Sequence, residues 1–318
     1  MSKRPVYVVD AFTGEALRGN AAGVVLDAGS LEPALMQRIA AELKHSETVF
    51  VSGARDPAAS FHLRWFTPLA EVRFCGHATL AAIKVLVDEA QRLVVAPGKT
   101  IRTAFTSLSG VLRVEISRDP PASSHSKGRL QIRFETPATA FAQHILDESL
   151  LTSLGLIAEV LDPQCLPRRS LASHAAEGNL YLCVRERDAL TRVRANPTAL
   201  RDALQAARAA GVVVFTRQPA KGVDAALRCF FPDYLPGGAE EDPVTGSACG
   251  QLACLLQELF PEVMPRALRF TQGDELGRAG RVDLEVRPES TPGQIRAFVG
   301  GDATVVLRGE LDLPAGTR

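Results

Sequence analysis

The chain has no surplus charge of either sign: 36 lysines and arginines balance 36 aspartates and glutamates over 318 residues. Nucleic-acid backbones and anionic lipid surfaces attract proteins through excess positive charge, so neither is an expected partner. Long apolar runs are missing as well. None approaches the ~18–20 residues of a membrane-spanning helix, and the apolar stretch after Lys3 and Arg4 stops at Asp10, too early for a signal peptide. The six cysteines (Cys75, Cys165, Cys183, Cys229, Cys249 and Cys254) include no CxxC pair and no regular framework. Reduced thiols and a cytoplasmic address are therefore expected.

Motifs for several cofactors and nucleophiles also fail. Gly98-Lys99-Thr100 imitates the end of a P-loop, but Leu93 stands where the motif needs its first glycine. Gly246 to Gly250 imitates a hydrolase elbow, but its central residue is Ala248 rather than serine. There is no HExxH, the histidine spacings indicate no preformed metal site, and no GxGxxG follows a strand. No metal and no cofactor is expected, which leaves chemistry done by side chains.

What is present is an internal repeat. Gly19-Asn20 leads into the apolar run Ala21 to Leu26, and Gly178-Asn179 leads into Leu180 to Val184. Ser30 and Pro33 open a helix with apolar Met36, Ile39, Ala40 and Leu43; Asn196 and Pro197 open one with Leu200, Ala203, Leu204 and Ala207, each shifted by 164. Thr48 to Val51 and Val212 to Phe215 read as strands, and Arg64 to Pro68 is echoed by Arg228 to Pro232. Gly76-His77-Ala78 is then echoed by Gly246-Ser247-Ala248 at a shift of 170, which implies a six-residue insertion around Gly237-Gly238.

Five pairs in one order, together with a length that accommodates two domains of roughly 150 residues, predict two domains of like topology. The Pro- and Ser-rich segment Asp119 to Lys127 has the composition of a linker between them. The segments Ala78–Val87 and Ala248–Leu256 are apolar nearly all round and must be buried on every face. Each domain is therefore expected to be a curved, mostly antiparallel sheet wrapped around one central helix, an α+β fold.

If the two domains face one another, a cleft between them is the default ligand site. Helix N-termini at Gly76 and Gly246 would favour a carboxylate there, since each presents backbone N–H groups and a partial positive charge. The polar residues that the repeat does not share are Glu47, His77 and Asp242. A Glu47 carboxylate with its pKa raised from ~4.3 by burial could accept and return a proton; spacing alone equally allows a solvated carboxylate at the start of a strand. His77 could instead cap its helix or sit in the core, and Asp242 before Pro243 could be a turn residue. Cys75, next to a helix N-terminus, could be a nucleophile or simply a small buried hydrophobe.

On these residues the chain resembles the PhzF-like phenazine-biosynthesis isomerases and, more distantly, the diaminopimelate epimerase and proline racemase superfamily. The resemblance runs through Val9 to Phe12, Gly19-Asn20, Ser46-Glu47-Thr48, Arg64 to Pro68, Phe74 to Thr79, Glu241 to Ala248, Gln272-Gly273 and Gly277-Arg278. It implies two pseudo-symmetric domains, residues 1–125 and 126–299, with residues from about 300 to 318 returning to complete the first. It also implies a homodimer without cofactor, acting on a small carboxylate-bearing substrate. In the resembled isomerases the glutamate of the SET motif moves a proton between carbons of a dihydro-hydroxyanthranilate. Carried over, Glu47 is the acid and base, and Asn20, Gly76, His77, Asp242, Gly246 and Ser247 bind the substrate. Racemases of the superfamily use two cysteines; here Cys75 fills the first position and Thr245 the second, which disfavours a two-thiol racemase. A racemase or epimerase based on Cys75 and a binding protein without turnover are the competing expectations.

Overall fold

The computed structural model describes residues 2–121, 128–136, 140–171, 178–218, 221–233, 241–262, 267–288 and 295–313. Gly237-Gly238 and residues 122–127 of the expected linker lie outside them. In chain order the elements are β1 (Ser2–Ala11), β2 (Asn20–Val25), α1 (Pro33–Leu43), β3 (Glu47–Gly53), β4 (Phe61–Phe66), β5 (Glu71–Val72), α2 (Gly76–Lys84), β6 (Thr100–Ser107), β7 (Gly110–Arg118) and β8 (Leu130–Glu135). There follow β9 (Ala140–Gln143), α3 (Glu148–Ser153), β10 (Arg168–Leu171), β11 (Gly178–Cys183), α4 (Arg187–Thr191), α5 (Pro197–Ala206), β12 (Ala209–Thr216), β13 (Ala225–Phe230), β14 (Glu241–Asp242), α6 (Gly246–Leu259), β15 (Ala267–Gln272), β16 (Gly280–Pro288), β17 (Ile295–Gly301) and β18 (Ala303–Leu313). The chain divides into two compact units, Met1–Glu135 with Gly300–Arg318, and Thr136–Val299. Strand β8 lies beyond the junction read at 125/126, and it runs with the first unit because it pairs along β7, from Arg118↔Leu130 to Val114↔Phe134.

In the first unit β1 pairs antiparallel with both β18 and β2. Strands β2 and β3 are parallel, β3 and β4 antiparallel, β4 and β6 parallel, and β6, β7 and β8 antiparallel in turn. The second unit repeats the scheme: β9, β10 and β11 antiparallel, β11 and β12 parallel, β12 and β13 antiparallel, β13 and β15 parallel, β15 and β16 antiparallel. Antiparallel pairing predominates, and the sheets are mixed because parallel neighbours arise wherever a helix carries the chain back to its starting edge. The fold is α+β.

Helix α2 is buried from Gly76 through Ile83 and rests against β1, β2, β3, β8 and β18. Each of its fully buried large side chains, Leu80 and Ile83 among them, contributes about 1.5–3 kcal/mol by leaving water. Beyond Lys84 the chain continues as a π-helical turn, Val85–Glu89, closed by Ala90 N–H on the Val85 carbonyl. Helix α6 is regular over its whole length and packs against β16.

The crossover helices differ at their starts. Asn196 caps α5 by accepting from the Ala199 N–H, with Pro197 following. Ser30, read as part of the opening of α1, instead lies in a 3-10 turn and accepts from Arg4, while Pro33 begins the helix. Both helices bury three of the four apolar positions that the spacing marks, Met36, Ile39 and Ala40 in one and Leu200, Ala203 and Leu204 in the other, while Leu43 and Ala207 at the helix ends are partly buried.

One ion pair is repeated as well. Arg64 on β4 grips Glu71 on β5 through Nε and Nη2, both at 2.7 Å. Arg228 on β13 grips Glu241 on β14 in the same way, at 2.8 and 2.6 Å. Each pair braces the short strand that leads into the central helix of its unit.

Candidate active site

In the first unit four polar side chains meet the imidazole of His77. Its Nδ1 lies 3.3 Å from Asn20 Nδ2 and 3.4 Å from Cys75 Sγ; its Nε2 lies 3.3 Å from Ser46 Oγ and 3.4 Å from Glu47 Oε2. Strand register explains the convergence. Asn20 and Glu47 sit near the same end of the parallel pair β2 and β3, where Ala22 faces Glu47, and α2 packs on both strands. Cys75 occupies the N-cap position of α2 without a side-chain capping bond.

Burial pushes the His77 pKa down to about 3, and the charge of His45 acts in the same direction. The ring is therefore neutral near neutral pH and carries one N–H. With the Asn20 amide nitrogen donating to Nδ1, that hydrogen belongs on Nε2, facing Ser46 and Glu47. The 3.4 Å contact with Glu47 is then the approach of a neutral imidazole to a carboxylate, not an ion pair. Glu47 itself is half-buried, its side chain 20% exposed, so it combines a contact with His77 with a route to solvent.

Glu47, Cys75 and His77 each offer one ligand atom, and these atoms lie within 4.8 Å of one another, so the same three residues could hold a metal ion. Histidine spacing does not reveal this set, because Glu47 and Cys75 belong to separate elements.

In the second unit the equivalent positions carry another network. Asp242 on β14 faces Cys229 across the ladder, as Val72 faces Trp65 in the first unit. Thr245 Oγ1 donates to Asp242 Oδ2 at 2.5 Å. The buried Gln272 accepts from the Thr245 N–H (3.0 Å) and donates to the Asp242 carbonyl (2.7 Å) and to Thr245 Oγ1 (3.2 Å). Its amide thus locks the turn that introduces α6. Gly273 follows at φ +90°, where a Cβ would come within 2.5 Å of the Arg278 carbonyl and 2.6 Å of the Pro243 carbonyl, so only glycine fits. Gly246 and Ser247 open α6, Ser247 half-buried.

Asn20, Glu47, Cys75, Gly76 and His77 thus gather in the first unit, and Asp242, Gly246 and Ser247 in the second. Ser46 and Gln272 stood in the sequence only as parts of motifs, and the side-chain contacts give them physical tasks. At a shift of 164 the counterpart of Glu47 is Gly211. A Cβ there would lie 2.2 Å from the Phe231 ring and 2.7 Å from the Phe230 carbonyl, so the second unit has no room for a side chain at that position.

Residues 9–309 match the PhzC-PhzF family of phenazine biosynthesis-like proteins. The chain belongs to that family. It is 33% identical over 315 residues to the uncharacterized isomerase YddE of Salmonella typhimurium, a match covering 97% of this chain and 98% of that one. The crystal structure of a phenazine biosynthesis protein of the PhzF family from Bacillus anthracis superposes with a TM-score of 0.84 at 26% identity, covering 98% of this chain and all of the other. A probable proline racemase from Agrobacterium radiobacter shares the fold at 10% identity and a TM-score of 0.64, over 98% of this chain and 93% of that one. This PhzC-PhzF protein is accordingly an enzyme of the isomerase class. Among the described residues, no helix is long and apolar enough to cross a membrane.

Proposed function

We propose that the protein is a cofactor-independent isomerase that shifts a proton between carbons of a small carboxylate-bearing substrate of the dihydro-hydroxyanthranilate type, with Glu47 as acid and base. The supporting observation is the half-buried Glu47 carboxylate held against a neutral, fully buried His77. In this reading Glu47 removes the proton from one carbon, the double bond migrates, and Glu47 returns the proton at another. A neutral His77 keeps its hydrogen on Nε2 and orients the carboxylate without competing for the substrate's proton. Backbone N–H groups at Gly76 and Gly246 stabilise developing negative charge, each by about 3 kcal/mol if well aimed. Asn20, His77, Asp242 and Ser247 bind the substrate, although the structure gives Asn20 a second task as the donor that sets the His77 tautomer. Six cysteines outside any disulfide accord with a cytoplasmic protein, and a homodimer is part of the same reading.

The test is solvent-deuterium incorporation during turnover of dihydro-hydroxyanthranilate. Glu47→Gln keeps the shape and removes the base, so incorporation should collapse; wild-type incorporation in that variant would sink the proposal. The contact between Cys75 Sγ and His77 Nδ1 supports a second reading, in which the thiol is the base. The two diverge on Cys75→Ser, which should change turnover by less than about tenfold if Glu47 is the base and abolish it if Cys75 is.

A further inference from the structure

Cys165 and Cys183 take no part in that chemistry, yet the fold gathers them around one residue. The Asp162 N–H donates to the Cys183 carbonyl at 2.8 Å, and the Cys165 N–H donates to the Asp162 carbonyl at 3.1 Å. An isolated antiparallel bridge between Leu161 and Val184 holds the two segments side by side. Cys183 Sγ lies 3.8 Å from Asp162 Oδ2, and Arg217 Nη2 donates to the same oxygen at 2.7 Å. Arg217 is itself held over the Phe260 ring, 4.0 Å from its centroid.

The two cysteines are neighbours about Asp162, whose carboxylate accepts from the Cys183 thiol, and their environments push the acidities of the two thiols apart. Interaction with Cys183, helped by the Arg217 and Arg168 charges, holds the Cys165 thiol below its ordinary pKa against the opposing effects of burial and Asp162. Cys183 is driven up by the same interaction and by burial. Cys165 is 3% exposed, but Gln164 and Leu166 on either side are exposed, so the thiol lies directly beneath an open stretch of loop. A thiolate-forming cysteine beside a cation, next to a second thiol, is the arrangement that reacts with peroxides and then resolves.

We propose that Cys165 and Cys183 are a modification site, forming a reversible disulfide when hydrogen peroxide reaches the protein. The Cys165 thiolate attacks the peroxide: an S–O bond forms, the O–O bond breaks, and hydroxide leaves to become water. Cys183 then attacks the sulfenic sulfur; an S–S bond forms, the S–O bond breaks, and the oxygen departs as water with the Cys183 proton. Two thiols are oxidised, one peroxide is reduced, and a dithiol reductant reverses the change.

The full-length protein can be treated with a few equivalents of hydrogen peroxide, denatured, alkylated with N-ethylmaleimide and mapped by mass spectrometry. The peptides carrying Cys165 and Cys183 should be joined, lighter by two hydrogen atoms, and separate again in dithiothreitol. Cys229 and Cys249, whose thiols burial pushes up, serve as internal controls and should stay alkylated. In Cys183→Ser the first step survives without the second, so Cys165 should be trapped as a dimedone adduct. Full alkylation of Cys165 and Cys183 under conditions that oxidise Cys229 or Cys249 would overturn the proposal, as would a crosslink from Cys165 to any other cysteine. The wild-type map carries the test even if the variant fails to fold, and its outcome is independent of turnover by Glu47.

Discussion

Helices α2 and α6 open in matching surroundings and carry different chemistry. Each follows a two-residue strand braced by a bidentate arginine–glutamate pair, and the arginine of each pair lies over a phenylalanine, 5.2 Å for Arg64 on Phe66 and 5.3 Å for Arg228 on Phe230. At the helix entrances, however, Cys75 and His77 stand where the second unit has Thr245 and Ser247, Val72 stands opposite Asp242, and Glu47 stands opposite Gly211. The first unit thus presents a titratable carboxylate on a neutral imidazole. The second presents a carboxylate already occupied by a threonine hydroxyl and a locked turn. Scaffold residues are repeated because both sheets need them to close on their helices, whereas each unit's functional side chains are free to diverge as long as they fit.

The sharpest way to break the comparison is to remove the base. Glu47→Gln should lower deuterium incorporation by about 10²–10⁴-fold, and Ser247→Ala in the second unit by far less. A comparable loss in both variants would mean that the first unit has no privileged role. The next largest effect concerns the shared scaffold. Side chains of Arg228 and Glu241 are each 8% exposed, against 21% and 22% for Arg64 and Glu71, and Arg228 also donates to the Leu190 and Val193 carbonyls. Arg228→Ala should therefore cost about 3–5 kcal/mol in denaturant unfolding, by stranding a buried partner, and Arg64→Ala on the order of 1 kcal/mol. Equal losses would show that the two braces are equivalent after all.

Gly211→Ala should destabilise by about 1–3 kcal/mol because its Cβ has no space against Phe231. Unchanged stability would remove the steric reason for the missing second carboxylate. The acid response of His77, whose pKa falls from 6.5 to about 3 on burial, is read as a slope in pH. Between those values the unfolded chain holds a proton that the folded chain lacks. Folding stability therefore rises with pH across this window and is lost on acidification below 6.5. The His77 contribution is up to about 1.4 kcal/mol per pH unit. Unfolding measured across this window should show a shallower slope for His77→Gln than for wild type, and identical slopes would mean that His77 is not held neutral.

Much of this was legible in the residues. Asn196-Pro197 announces its helix because the cap and the proline act within one turn, and the apolar positions of α1 and α5 follow from helical period alone. The opening of α1 departs from the local signal at Ser30 because a serine marks turns as well as caps, and the chain there closes a 3-10 turn first. The π-helical extension of α2 had no local signal. Glu47 and His77 stood out as residues that break the repeat, whereas Asn20 came only with the family resemblance, and its part in setting the His77 tautomer depends on which residues face one another across β2, β3 and α2. Gln272 was visible only within a motif, since its three bonds reach Asp242 and Thr245, about thirty residues away in the chain.

The sequence by itself determined the twofold order of elements, the two buried helices, the family and the short list of polar residues that break the repeat. Those follow from periodicity, turn chemistry and side-chain type, which act over a few residues. Only the tertiary structure decided that His77 is neutral, that Glu47 rests against it, that Thr245 is bound to Asp242, and that no carboxylate fits at Gly211. Each of these depends on burial and on the distance between residues that the chain itself keeps far apart.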